Sequence, residues 1–191
     1  PRRLRLESSL FGLTSTLPWP LNKLAQERKP LSIDLDLREG IAERVRLDYG
    51  DIADVEFGAQ RGADGKAEIT RAEILLGTVD PEFKRTAGTT IRGYVDRVRL
   101  DEWSHFQPDA SVRTGTKSLP LNFDLQVSKL ELLGQAFDDV RMFGEREATQ
   151  WQVGLAGATL NGTALVPRDF SSGTLHLNVD RLELRRPDEA T

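Results

Sequence analysis

Apolar and polar residues alternate with period two along most of this chain, and that pattern alone restricts the fold. A strand turns successive side chains to opposite faces, so strict alternation describes strands with one apolar and one wetted face. Ile33, Leu35 and Leu37 alternate with Ser32, Asp34, Asp36 and Arg38. Val45, Leu47 and Tyr49 alternate with Arg44, Arg46 and Asp48. Leu121, Phe123, Leu125 and Val127 alternate with Asn122, Asp124 and Gln126, and Leu175, Leu177 and Val179 with His176, Asn178 and Asp180. Weaker stretches surround Val55 and Phe57, Ile69, Ile74 and Leu76, Phe137 and Val140, Trp151 to Leu155, and Ala158 to Ala164.

Turn-forming residues punctuate these runs at Glu39-Gly40, Gly50-Asp51, Ala63-Asp64-Gly65 and Asn161-Gly162. The reading is all-β, with roughly nine or ten strands joined mostly as antiparallel hairpins. One or two short helical turns are expected, at Leu17 to Ala25 and at Leu100 to Phe106.

Three strands share an internal break. They read Val95-Asp96-Arg97-Val98-Arg99-Leu100, Val127-Ser128-Lys129-Leu130-Glu131-Leu132 and Val179-Asp180-Arg181-Leu182-Glu183-Leu184. An apolar spacing of three would turn the second residue to the wrong face. One extra residue, a β-bulge, returns it and adds twist. The recurrence predicts a repeating unit of long, bent strands.

The charge pattern limits partners. Net charge is −4 with both signs interspersed, which excludes the basic face that nucleic acid requires. No cysteine is present, so disulfides, thiolate metal sites and a cysteine nucleophile are excluded. No apolar run reaches the length of a membrane helix, and no apolar leader follows Pro1-Arg2-Arg3. With no initiating Met, the chain is expected to be a piece of a longer one, and any anchor is expected outside it.

No catalytic constellation emerges. His105 and His176 lie far apart, and His176 occupies a polar-face position. G-x-S-x-G, H-E-x-x-H, the P-loop and G-x-G-x-x-G are all missing. Asp34 and Asp36 share the wetted face of their strand and read as solvating charges, and Asp138-Asp139 has the same standing. No catalytic residue, cofactor or metal is expected. The apolar face is mainly Leu, Val and Ile, with aromatics at 7% of the chain. An aliphatic face suits acyl chains, and it equally suits the core of a closed sandwich, so the residues leave both readings open.

Particular segments resemble a known family. Leu10-Phe11-Gly12-Leu13-Thr14-Ser15-Thr16-Leu17-Pro18-Trp19-Pro20-Leu21-Asn22-Lys23 resembles the SxLxGLxSxLPxPLxK segment of YhdP-type proteins in the AsmA-like family. Gly93 to Trp103, with its Leu100-Asp101-Glu102-Trp103 end, is similar to a strand and cap of the same proteins. Leu119 to Leu132, Phe137 to Val140, and Val179 to Leu184 follow in matching order. The resemblance implies a long antiparallel sheet curled into an open, taco-like groove, in an internal or C-terminal slice of a protein anchored in the inner membrane of Gram-negative bacteria. It implies a periplasmic, non-enzymatic phospholipid conduit between inner and outer membranes.

On that basis residues 1–191 form a single segment of a larger repetitive protein, with 1–106 and 107–191 as candidate sub-units. Its partners would be phospholipid acyl chains, adjoining segments of the same chain, and the two membranes through parts beyond this piece. The groove lining expected from the alternation is Ile33, Leu35, Leu37, Val45, Leu47, Val55 and Phe57, then Ile91, Val95, Val98 and Leu100. It continues with Leu121, Phe123, Leu125, Val127, Leu130 and Leu132, then Trp151, Val153 and Leu155. Leu175, Leu177, Val179, Leu182 and Leu184 complete it. The alternative is a closed structural module that binds neighbouring envelope proteins and no lipid.

Overall fold

A computed structural model describes residues 2–38, 41–63, 65–77, 82–100, 102, 119–132, 134–147, 150–167, 174 and 176–184. The chain is all-β. Its strands are β1 (Arg2–Ser8), β2 (Leu31–Arg38), β3 (Ile41–Tyr49), β4 (Ala53–Arg61), β5 (Ala67–Leu76), β6 (Gly88–Arg99), β7 (Leu121–Leu132), β8 (Gln135–Arg146), β9 (Gln150–Ala156), β10 (Leu160–Pro167) and β11 (His176–Leu182). They line up in sequence order in one sheet whose outermost strands are β1 and β11. The expected count falls short by β1, whose Leu4 and Leu6 alternate with Arg3 and Arg5.

The expectation of antiparallel pairing is met with one exception. β5 and β6 run parallel, with Arg71 opposite Gly88 and Leu76 opposite Gly93. Two parallel neighbours cannot be joined by a tight hairpin, because the chain must first return along the strand. The described part of this crossover connection, residues 82–87, binds the charged face of the sheet through Arg85. Gly93 sits where this pairing is tightest. A Cβ there would come within 2.1 Å of the Leu76 carbonyl oxygen, and its φ of 132° is one side chains rarely adopt.

Bulges follow the apolar-x-x-apolar spacing. In β11, Val179 pairs with Gly162 and Arg181 with Asn161, leaving Asp180 as the extra residue predicted there. In β6 and β7, Val95 and Val98, and likewise Val127 and Leu130, are buried on either side of more exposed residues, as a bulge requires. Two further bulges have the same spacing: Glu43 is extra in β3 and Thr70 in β5. In β8, Phe137 and Val140 are both buried around Asp139, whose φ is 51°.

Other expectations need correction. Asn161-Gly162 is not a turn but lies within β10 at the bulge, and the reversal falls at Gly157 to Thr159. Gly50-Asp51 does form a turn, closed by Ile52 N–H to the Tyr49 carbonyl. At Ala63-Asp64-Gly65 the Gly65 N–H bonds the Gly62 carbonyl, with Asp64 outside the described residues. Leu17 to Ala25 forms no helix. Pro18 and Pro20 remove two of the amide donors a helix would use, and the segment instead closes a lobe through paired bonds between Ser15 and Lys23. Leu100 and Glu102 are helical. The remainder of that expected turn with His105, and the Glu39-Gly40 turn, lie outside the described residues.

The chain divides into two compact units. One comprises residues 1–93 with 107–122, the other 94–106 with 123–191.

Candidate functional site

In the first unit, register collects the apolar residues on one face. Leu4, Leu35 and Val45 stand in one row across β1 to β3, and Leu6, Ile33, Leu47 and Val55 in the next. Phe57 lies opposite Val45, Ile74 opposite Val55, and Ile91 opposite Ile74. All the expected lining residues of β2 to β4 and β6 in this unit therefore share a face. Leu4, Leu6, Ile74 and Leu76 join them. The alternation of β1 and β5 carried that signal.

The state of this face is unusual. Ile33, Leu35, Leu37, Val45, Leu47, Val55, Phe57, Ile74, Leu76, Ile91 and Leu121 are half-buried, while Leu4 and Leu6 are 46% and 51% exposed. Across β4 and β5 the covered face is the charged one, whereas on β1 to β3 Arg3, Arg5 and Arg46 stay exposed. Glu56 and Glu73 are only 2% and 3% exposed, Asp54 is buried beside them, and Leu75 in the same row is fully buried. This reverses the expectation of a wetted charged face in β4 and β5. The crossover is the physical reason, since Arg85 covers that face.

Burying carboxylates is costly unless they are paired, and these are. Glu56 receives Arg71 Nη1 at 2.8 Å and Arg85 Nε at 3.2 Å. Glu73 receives the Arg85 backbone N–H and Arg92 Nε, each at 3.0 Å. Arg46 reaches Asp54 at 3.7 Å and stacks over the Phe83 ring of the crossover at 5.2 Å. Toward the edge, Arg3 and Arg44 both bond Asp36, and Arg5 reaches Asp34 at 3.3 Å. Asp34 and Asp36 thus tie β2 to its neighbours rather than only meeting solvent.

Two of these carboxylates respond to pH with opposite sign. The Arg44 hydrogen bond, with that of Arg3, holds Asp36 below its usual 3.8 against a smaller opposing effect of burial. Its contribution is complete above 3.8 and is lost as pH falls through the lowered value. Burial pushes Asp54 above 3.8, helped by nearby Asp48 and opposed by Arg46. Asp54 therefore removes stability as pH rises from 3.8 through its raised value. Urea unfolding across the range from about pH 3 to about pH 7 is expected to show Asp36→Asn flattening the acid-side loss. Asp54→Asn should instead gain relative to wild type as the pH rises.

In the second unit the apolar face is closed over much of its extent. Val127, Leu130 and Val140 are fully buried, and Val95, Val98, Leu125, Phe137, Leu155, Leu160 and Ala164 are nearly so. Six expected lining residues are among these, so their surface is already taken by protein. Phe123, Leu132, Trp151 and Val153 are half-buried, as is Leu100, and Phe123 meets Trp151 edge-on at 6.2 Å. Leu177, Val179, Leu182 and Leu184 are exposed. Leu175 lies outside the described residues.

A cleft opens beside that exposed strand. Leu132, Phe137, Leu155, Leu160, Leu177, Val179, Leu182 and Leu184 line it, together with Gly162, and no charged side chain does. Gly162 forms its floor, where a side chain would strike the Asn178 carbonyl at 2.4 Å. Phe137 and Leu160 were not expected here, although the spacing of Phe137 and Val140 repeats the bulge signature. Gln135, Asn161, Thr163 and Asn178 also border it, and such a cleft offers mainly dispersion and release of water.

The polar face of this unit is held by exposed pairs. Arg141 binds Asp124 through two bonds of 2.8 Å, and Arg99 joins Glu131 at 2.8 Å. His176 lies exposed on it. Among the described residues no group of His, Cys, Asp or Glu could hold a metal ion, and no helix is long and apolar enough to cross a membrane.

No curated protein and no solved structure matches this chain. A protein-family model does, over residues 2–191, and its description is YhdP protein. With that match spanning nearly every residue, the chain belongs to the YhdP family, an AsmA-like family of the bacterial envelope associated with lipid transport.

Proposed function

We propose that this chain is a segment of a non-enzymatic phospholipid conduit, in which acyl chains lie against the aliphatic sheet face while headgroups stay in water. The observation that carries the reading is the half-buried aliphatic face of the first unit. A sheet normally hides such a face beneath a second layer, and a large uncovered apolar patch on a stable protein marks an interaction surface. Across β4 and β5 the protein covers its charged face instead.

The lining of the first unit runs from Leu4 through Leu35 and Val45 to Phe57, with Ile74 and Ile91 alongside. In the second unit it reduces to the cleft at Leu177, Val179 and Leu182, since Val127 and Leu130 have no surface to offer. Weak headgroup selectivity follows, because the rows from Leu4 to Phe57 and from Leu6 to Ile91 carry no charge, and Arg2 and Arg61 stand only at the margins of that face. The segment would act in the periplasm, within a protein anchored in the inner membrane, with adjoining segments of the same chain as its neighbours. The covered interior of the second unit favours a second reading for that unit alone, as a structural module.

Photo-crosslinking in cells tests this. The parent protein carries benzoylphenylalanine at Leu35 or Leu177, with Asp34 and the exposed His176, which does not line the cleft, as controls. Phospholipid is expected at Leu35 and Leu177 and at neither control. Equal capture on both faces, or none at Leu35 in folded protein, would overturn the assignment.

A further inference from the structure

We infer that the lobe between β1 and β2 is a docking element for an anionic lipid surface, separate from the acyl-chain face. Its composition departs from the rest of the chain. From Ser8 to Gln26 there is no Asp or Glu, and the one charge, Lys23, is buried with its ammonium donating to the Leu13 and Leu24 carbonyls at 2.8 and 2.9 Å. That is a nearly uncharged stretch in a chain whose residues are 29% charged.

The lobe is built to hold apolar side chains outward. Gly12 N–H bonds the Ala25 carbonyl, Ser15 and Lys23 exchange backbone bonds, and Lys29 N–H closes onto the Ser9 carbonyl. Its backbone is thus largely satisfied internally, as entry into a lipid interface requires. Phe11, Leu13 and Leu24 are nevertheless 60%, 59% and 56% exposed, and Trp19 is partly so. The Lys23 ammonium, bonded to both the Leu13 and Leu24 carbonyls, holds these two backbone segments close, with Phe11 two residues before Leu13. Aromatic and leucine side chains of this kind settle at the headgroup boundary.

Charge selects the occupant. Residues 1–30 hold six Lys and Arg (2, 3, 5, 23, 28 and 29) and two Glu (7 and 27), a net +4. Lys23 is buried and Arg3 and Arg5 pair with Asp36 and Asp34, so Arg2, Arg28 and Lys29 are the cations that face a bilayer. The whole chain is −4, so residues 31–191 carry −8. Within the lobe, Glu27 accepts the Leu24 N–H at 2.9 Å, while Arg28 lies 5.2 Å over the exposed Phe11 ring. Exposed apolar side chains with Arg28 and Lys29 beside them complement an anionic bilayer, which attracts clustered cations and admits apolar groups.

The experiment is co-sedimentation of the 191-residue chain with phosphatidylcholine vesicles, with and without phosphatidylglycerol, at low and high salt. Binding is expected with phosphatidylglycerol and should weaken as salt rises. The triple variant Phe11→Ser, Leu13→Ser, Leu24→Ser should lose on the order of tenfold or more in affinity. Arg28→Glu with Lys29→Glu should abolish the preference for phosphatidylglycerol. Phe11, Leu13, Leu24 and Arg28 are exposed and Lys29 is half-exposed, and circular dichroism checks folding. Leu35→Asp, which disables the proposed conduit face, should leave this binding intact. Undiminished binding by the triple variant, binding indifferent to phosphatidylglycerol, loss only in Leu35→Asp, or no binding by wild type would each overturn the inference. Capture of a protein by the lobe in place of vesicles would do the same.

Discussion

Replacing Glu73 by alanine is expected to destabilise the first unit by about 3 kcal/mol or more, the range for removing one partner of a buried ion pair. The Glu73 carboxylate is 3% exposed and takes the Arg85 backbone N–H and the Arg92 guanidinium, each at 3.0 Å. Alanine would leave Arg92 partly buried without that partner and remove the bond to the Arg85 backbone, while Glu56 and Arg46 would still tie the crossover to the sheet. Glu73→Gln should cost less, because an amide oxygen can still accept one N–H. Arg3→Ala removes a pair whose arginine is 74% exposed, and should cost less than about 1 kcal/mol. Urea denaturation of the three variants gives the ranking. Equal costs for Glu73→Ala and Arg3→Ala would mean that the carboxylates do not hold the crossover in place.

Why this network escapes a reading of the sequence is instructive. Period two tells which residues share a face, and it placed Ile33, Leu35, Val45, Leu47, Val55 and Phe57 together correctly. It does not tell which face is covered. Glu56 and Glu73 alternate with Val55, Phe57, Ile74 and Leu76 exactly as solvated charges would, and only the crossover makes them interior. That crossover follows from the parallel pairing of β5 and β6, a long-range choice that the loop residues Gly77 to Ala87 do not announce. Bulges were legible because a spacing of three violates alternation locally, as the extra Asp180 in β11 shows. The helix expected at Leu17 to Ala25 failed because apolar content outweighed the two prolines. Burial along the expected lining was equally opaque. Leu35 and Val127 have similar neighbours in sequence, yet one is half-buried and the other fully buried.

That difference separates two roles that one charge substitution can distinguish. Leu35→Asp places a carboxylate between Leu4 and Val45 on the half-buried face, where water still reaches it. The chain is expected to stay folded, with a modest loss of stability. An acyl chain crossing that row would have to desolvate an unpaired charge, which costs several kcal/mol, so phospholipid delivery and crosslinked lipid should fall by at least tenfold. Leu177→Asp, in the uncharged cleft, should act the same way. Val127→Asp instead buries a charge at a site with no exposed surface, with no partner to offset it, and should unfold the second unit. Denaturation curves for the three, read beside phospholipid delivery by the intact parent protein, resolve the cases. Normal delivery by folded Leu35→Asp would remove the aliphatic face of the first unit from the transport path. A stable, folded Val127→Asp would show that the interior of the second unit opens, and would return Val127 and Leu130 to the lining.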